Sequence, residues 1–190
     1  MITPNEFQSL VLASPARLKL IRGKPRIGKT MLAALLAHEA SLRGDDVWYR
    51  SPYRTSVDVF VDYLIKLNKT YTPKKIGSTI KVGARIFASV TQYRERGYYP
   101  EVLILDQIDT LPDHYVESYM AAQNINTAYS VLIYDPMAYR DTDDHPLTYC
   151  EQIYVKSLLK TTDIMLQEVF DYSPLLPGGY INFNNVNEEI

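Results

Sequence analysis

The stretch from Leu18 to Thr30 constrains this chain more than any other. Leu18-Lys19-Leu20-Ile21-Arg22 is a short, mostly apolar run of the kind that forms a buried parallel strand. It leads into Gly23-Lys24-Pro25-Arg26-Ile27-Gly28-Lys29-Thr30. Met31, Leu32, Leu35, Leu36 and Leu42 then recur at helical spacing, and Gly44 is placed to close the helix. A strand, a G-x-x-x-x-G-K-T loop and a helix in that order make a phosphate-binding loop. Gly23 and Gly28 let the backbone turn so that successive N–H groups converge on phosphate oxygens. The helix N-terminus adds its partial positive charge. Lys29 is expected to reach the β- and γ-phosphates, and Thr30 to offer its hydroxyl to Mg²⁺. The pattern implies a site for ATP or a related triphosphate, cradled by residues 23–30.

Glu101-Val102-Leu103-Ile104-Leu105-Asp106 is the second informative stretch. Four apolar residues ending in aspartate, downstream of such a loop, predict a buried strand that delivers a carboxylate beside the phosphates. Asp106 would there hold Mg²⁺ through water; its other reading is a cap for the following helix. Lys29, Asp106 and the next residue, Gln107, are the candidate catalytic residues, and Thr30 and Asp106 the candidate metal ligands.

The remaining segments supply a scaffold. Thr3-Pro4-Asn5-Glu6 reads as a capping box opening a short helix with Phe7, Leu10 and Val11 on its apolar face. Val47–Arg50 reads as a strand ended by the turn Ser51-Pro52-Tyr53-Arg54, and Val57–Leu67 as a helix. Residues 69–81 read as loop and Val82–Tyr93 as a second helix, followed by a helix over Asp113–Asn126. Further strands are expected at Ser130–Asp135, Ile153–Leu158, Ile164–Phe170 and Tyr180–Phe183, with a frayed tail over 184–190. The 190 residues suit one domain. One cysteine, Cys150, excludes an internal disulfide, and the three histidines show no metal spacing. No apolar run is long enough for a membrane span, and no signal peptide is evident, so a cytoplasmic protein is expected.

Gly23–Thr30 together with Asp106-Gln107-Ile108-Asp109-Thr110-Leu111 resembles the RecA-like branch of P-loop ATPases, which includes RecA/RadA recombinases and DnaB-type helicases. The resemblance implies an α/β P-loop NTPase fold, with a mostly parallel central sheet flanked by helices and late antiparallel strands. It also implies a core-only member of the sort that phages and mobile elements encode, with a homo-oligomer as the expected assembly. Two departures stand out. Relatives carry a catalytic glutamate at the end of the second strand or directly after the Walker B aspartate, but here those places hold Ser51-Pro52-Tyr53-Arg54 and Gln107. An amide orients water without taking its proton. Asp109 is a substitute base or a helix cap. Asp135 stands where the family has its sensor amide, and Arg140, Lys156 and Lys160 are the nearest finger candidates. Slow or partner-dependent hydrolysis is expected.

Charge is segregated. From Lys66 to Arg96, eight basic residues (Lys66, Lys69, Lys74, Lys75, Lys81, Arg85, Arg94 and Arg96) face only Glu95, an excess of +7, with Tyr71, Tyr93, Tyr98 and Tyr99 interleaved or close behind. Cations for phosphates and rings for bases suit a single-strand nucleic-acid binder, with single-stranded DNA as the candidate partner. A solvated basic helix pair against an acidic neighbour subunit is the alternative. The expected function is therefore an ATP-binding, ATP-hydrolysing protein acting on nucleic acid in recombination, annealing, replication or packaging. The rivals are a nucleotide-gated scaffold with little turnover, favoured by Gln107, and a small-molecule kinase in which Arg50 and Arg54 clamp an acceptor.

Overall fold

A computed structural model describes residues 4–23, 26, 28–91, 100–111, 128–134, 167–172 and 179–182. The expected helix over 113–126, the strand at 153–158 and the tail lie outside these residues, as do Lys24, Pro25, Ile27, Asp135, Arg140, Lys156 and Lys160.

The described strands form one nine-stranded sheet in the order β3-β4-β5-β2-β6-β7-β1-β8-β9. Six of them run parallel as neighbours: β5 (Ile86–Val90), β2 (Val47–Ser51), β6 (Val102–Asp106), β7 (Tyr129–Tyr134), β1 (Leu18–Gly23) and β8 (Gln167–Tyr172). Antiparallel partners finish both edges, with β3 (Pro73–Ile76) and β4 (Thr79–Val82) on one side and β9 (Gly179–Asn182) on the other. β6 is buried at every position, as a central parallel strand covered on both faces must be.

Alternation sorts the side chains onto two faces. Val47, Tyr49, Val102, Ile104, Val131 and Ile133 join one core, built with helices α1 (Glu6–Ala13), α2 (Lys29–Arg43) and α3 (Arg54–Leu67). Leu18, Leu20, Leu103, Leu105, Leu132 and Tyr134 join a second core, with Trp48 packed against it. At about 25 cal/mol per Å² of apolar surface, each large side chain so buried contributes roughly 1.5–3 kcal/mol before entropy is counted.

Several sequence expectations need correction. The helix expected over Val82–Tyr93 is instead the end of β4 followed by β5, and residues 69–81, read as loop, contain the β3–β4 hairpin. Val82, Ile86 and Val90 stand four apart, a spacing that satisfies a helix and a strand alike. Gly83 settles the choice, because its φ of +62° breaks the chain between the two strands. Gly77, at φ +59°, turns the hairpin between Ile76 and Thr79. The two described late strands pair antiparallel with each other, β9 against β8, while β8 joins β1 in parallel. The first helix starts two residues later than expected, because the capping box is Asn5 with Gln8 rather than Thr3 with Glu6. Leu10 and Leu42 are exposed, at 44 % and 70 %, since the buried stripes run through Val11 and through Leu32, Leu36 and Ala40. Among the described residues no helix is long and apolar enough to cross a membrane.

Candidate functional site

β1 and α2 place the loop as its sequence requires. Gly28 is the N-cap of α2 with φ +91°, a left-handed conformation that costs a residue with a Cβ about 1–2 kcal/mol. A Cβ there would find room, its nearest neighbour being Gln8 at 3.5 Å, so backbone conformation rather than space selects glycine. Arg26 also has positive φ and is exposed. The first bond inside α2 runs from Leu32 N to Gly28 O, which leaves the amides of Lys29, Thr30 and Met31 without an intrahelical acceptor. No side chain caps this end of the helix. Donors and helix dipole thus both favour an anion here. The Lys29 ammonium donates to the carbonyl of Gly23, within the arc of the loop.

β6 brings Asp106 to the same place. Its carboxylate Oδ2 accepts a hydrogen bond from Thr30 Oγ1 at 3.1 Å and another from the Tyr49 hydroxyl at 2.7 Å. Tyr49 comes from β2, is buried, and stacks flat on Phe60 of α3 with ring centroids 3.8 Å apart. Burial pushes the Asp106 carboxyl above the usual carboxylate range, opposed by the hydrogen bonds from Tyr49 and Thr30 and by the charge of Lys29. Tyr49 is pushed well above its ordinary value, by burial first and then by the neighbouring Asp106 charge.

Gln107 follows in a left-handed conformation, φ 60° and ψ 44°, at the start of a 3₁₀ turn over Ile108–Thr110. Its Oε1 accepts from Ser56 Oγ at 3.1 Å and from Ser51 Oγ at 3.4 Å. Asp109 lies inside that turn, whose N-cap is Gln107, while the helix expected at 113–126 lies outside the described residues. Lys29, Thr30, Asp106 and Gln107 form the floor of a cleft of about 590 Å³, whose wall includes Met31, Tyr53, Val59 and Tyr63. The sequence-predicted Gly28, Lys29, Thr30, Asp106 and Gln107 are therefore brought together around one cleft. Tyr49, Ser51 and Ser56 were missed. The available signal was period two along Val47–Ser51, which turns Tyr49 and Ser51 toward the loop face and Arg50 away from it.

Arg50 is buried on the opposite face, its guanidinium 4.1 Å from the centre of the Trp48 ring. Arg54 pairs with Asp58 at 3.0 Å. Neither lines the cleft, so the clamp imagined for a kinase acceptor is absent among the described residues.

Of the basic residues, Lys69, Lys74 and Lys75 are exposed around the β3–β4 hairpin. Lys74 stands directly opposite Lys81, and Lys81 lies 5.2 Å over the Phe87 ring. Lys66 lies 5.4 Å over the Tyr63 ring, while Arg85 is held by Asp46 at 2.9 Å. Arg94, Arg96, Tyr93, Tyr98 and Tyr99 lie outside the described residues. The expected basic helix pair is thus a helix end and a hairpin.

No protein-family model matches this chain, and no curated protein matches it. Solved structures do. The large terminase of the thermophilic bacteriophage D6E superposes with a TM-score of 0.61 at 14 % identity, over 88 % of this chain and 45 % of that one. The large terminase of bacteriophage HK97 gives 0.57 at 16 % identity, over 82 % and 38 %. The N-terminal domain of the DNA packaging ATPase from bacteriophage phi29 gives 0.54 at 10 % identity, over 76 % and 84 %. The chain thus spans less than half the length of those two large terminases. The likeness is one of fold: it supports a P-loop ATPase fold and does not single out the RecA and DnaB branch that the motifs resemble. The chain thus has the fold of a P-loop ATPase, with a mostly parallel sheet and helices.

Proposed function

We propose that this protein is an ATPase domain, spanning residues 1–190, that couples nucleotide turnover to the handling of nucleic acid. DNA packaging is the process its structural neighbours favour. The observation carrying this reading is the convergence of Lys29, Thr30 and Asp106 on one cleft floor, although Asp106 is far from the others in sequence. The amides of Lys29, Thr30 and Met31 would hold phosphate oxygens, and the Lys29 ammonium would exchange the Gly23 carbonyl for a β/γ-phosphate. The structure of the D6E large terminase in complex with ATP-γ-S, and again with ADP, supports ATP as the ligand class.

Mg²⁺ fits the residues present. Thr30 Oγ1 and Asp106 Oδ2 are hard oxygen donors 3.1 Å apart, and Mg²⁺ is commonly held by one or two protein oxygens with phosphates and water. When bound, the ion would shield the charge of the triphosphate. Asp106 is the only carboxylate lining the cleft among the described residues, and it is committed to Thr30 and Tyr49. Turnover by the chain alone is therefore expected to be slow. The exposed Lys69, Lys74 and Lys75, with Lys66 and Lys81, supply the phosphate-binding surface for nucleic acid.

One observation favours a second reading: an amide, Gln107, stands where a base would serve, as suits a nucleotide-gated assembly protein. The deciding experiment is ATP hydrolysis by wild type and Lys29→Ala, with and without single- and double-stranded DNA, at two salt concentrations. Stimulation by DNA that fades with salt and vanishes in Lys29→Ala is the expected result. Tight ATP binding with no turnover under any condition would favour the assembly protein.

A further inference from the structure

Gln107 is held in an unusual way. A glutamine side chain offers one acceptor oxygen and two N–H donors. Here the oxygen is taken by two hydroxyls, Ser56 from the first turn of α3 and Ser51 from the end of β2. The Ser51 hydroxyl itself accepts from the amide of Tyr53 at 3.4 Å, so its hydrogen is available to donate, and it is fully buried. The left-handed backbone at Gln107 fixes where the side chain starts. Oxygen and backbone are thus both fixed, and the amide nitrogen is the remaining end of the group. Among the described residues no hydrogen bond uses it. The side chain lines the same cleft floor as Lys29, Thr30 and Asp106.

We infer that Ser51 and Ser56 are positioning residues that turn Gln107 into a hydrogen-bond donor aimed at the terminal phosphate of a bound nucleoside triphosphate. The inference rests on the triphosphate-site reading and adds a detector for its last phosphate. An amide nitrogen can only donate, and with the Asp106 carboxylate engaged by Thr30 and Tyr49, the anionic acceptors that a triphosphate brings into that cleft are its phosphate oxygens. With its oxygen occupied, the same amide has no acceptor left with which to align a water proton. Gln107 thereby reports the terminal phosphate to the β2–α3 turn through Ser51 and Ser56, and it does not activate water.

The test compares two ligands that differ by that phosphate. Calorimetry with Mg²⁺ gives Kd for ATP-γ-S and for ADP in wild type, Gln107→Ala, Gln107→Glu, Ser51→Ala/Ser56→Ala and Ser56→Thr, with thermal melts as a check on folding. The preference of wild type for ATP-γ-S over ADP should fall about tenfold or more in Gln107→Ala, the equivalent of one charge-assisted hydrogen bond. It should fall further in Gln107→Glu, where a carboxylate without donors faces the phosphate. The double serine variant should lose much of the preference with little change in ADP affinity, and Ser56→Thr, which keeps a hydroxyl, should retain it. An unchanged preference in folded Gln107→Ala and in the double serine variant would overturn the inference while leaving the triphosphate site standing. Failure of wild type to bind either nucleotide would overturn the triphosphate site and this inference together.

Discussion

The phosphate-loop unit and the outer hairpin hold their charges in opposite ways. At the loop, Lys29 is engaged by the Gly23 carbonyl, and the Asp106 carboxylate receives Thr30 and Tyr49 deep in the protein. At the hairpin, Lys69, Lys74 and Lys75 project into water, and Lys74 faces another lysine across the strand pair. Like charges placed directly opposite are mildly destabilising, so such an arrangement is sustained by solvent or by an anion. The first region holds its charged groups in one fixed geometry. The second displays its charges without fixing them.

The largest expected effect breaks the first region alone. Lys29→Ala should weaken ATP binding by about a hundredfold or more, since it removes the principal cation from the phosphates, yet leave nucleic-acid affinity intact. Titration calorimetry with ATP, beside DNA binding on the same sample, checks both halves. Loss of both activities together would mean that the two regions are not separable.

The converse variant, Lys69→Ala/Lys74→Ala/Lys75→Ala, should leave ATP affinity unchanged. Single-stranded DNA binding should weaken at least several-fold, and the slope of log K against log salt should shrink by about 2 if all three lysines meet phosphates. Fluorescence anisotropy across a salt series reads this, and an unchanged slope would remove the hairpin from the DNA surface.

Asp106→Asn sharpens the contrast through stability. Burial raises the folded pKa of Asp106 above the ordinary 3.8. Its contribution to stability is therefore fully present below that ordinary value and is lost as pH rises through the folded value, so near neutrality the buried charge is a net cost. The amide should raise Tm by a few degrees at pH 7 while abolishing hydrolysis, with the gain in Tm vanishing in acid. Melts from pH 3 to pH 8 test the sign; a lower Tm at pH 7 would contradict it.

The smallest effects lie where the two regions meet. The Tyr71 hydroxyl bonds to His38 Nδ1 at 2.8 Å and to Ser41 Oγ at 2.9 Å, both on α2, and a Cβ at Gly83 would sit 3.2 Å from the Tyr71 ring. Tyr71→Phe should cost about 0.5–1.5 kcal/mol, and Gly83→Ala about 1–2 kcal/mol from its positive φ. Neither should alter ATP affinity. Chemical denaturation gives the first quantities and calorimetry the second.

The same contrast explains what could be read from the chain. Gly23, Gly28, Lys29, Thr30 and Asp106 were legible because phosphate chemistry demands those types at one spacing, and a wholly apolar strand had to precede Asp106. The hairpin was not. Charge display tolerates many backbones, and Val82, Ile86 and Val90 satisfy two periodicities at once. Tyr49, Ser51 and Ser56 were invisible for a different reason. Their role arises from strand order, which sets β2 beside β6 and so brings Tyr49 and Ser51 against Asp106 and Gln107. Period two along Val47–Ser51 gives the face that Tyr49 and Ser51 share, but no local pattern says which strand lies beside β2.

The strand at the end of the sheet also limits how copies of this chain can meet. β3 is exposed at all four residues, which would ordinarily make its free edge a template for another strand. Pro73 lacks an N–H, and Lys74 and Lys75 would repel the same residues of an incoming copy. The β3 edge is thereby a poor template for the β3 edge of another copy. Pairing of two such edges is disfavoured, which leaves the charges of the hairpin available to a partner of opposite sign.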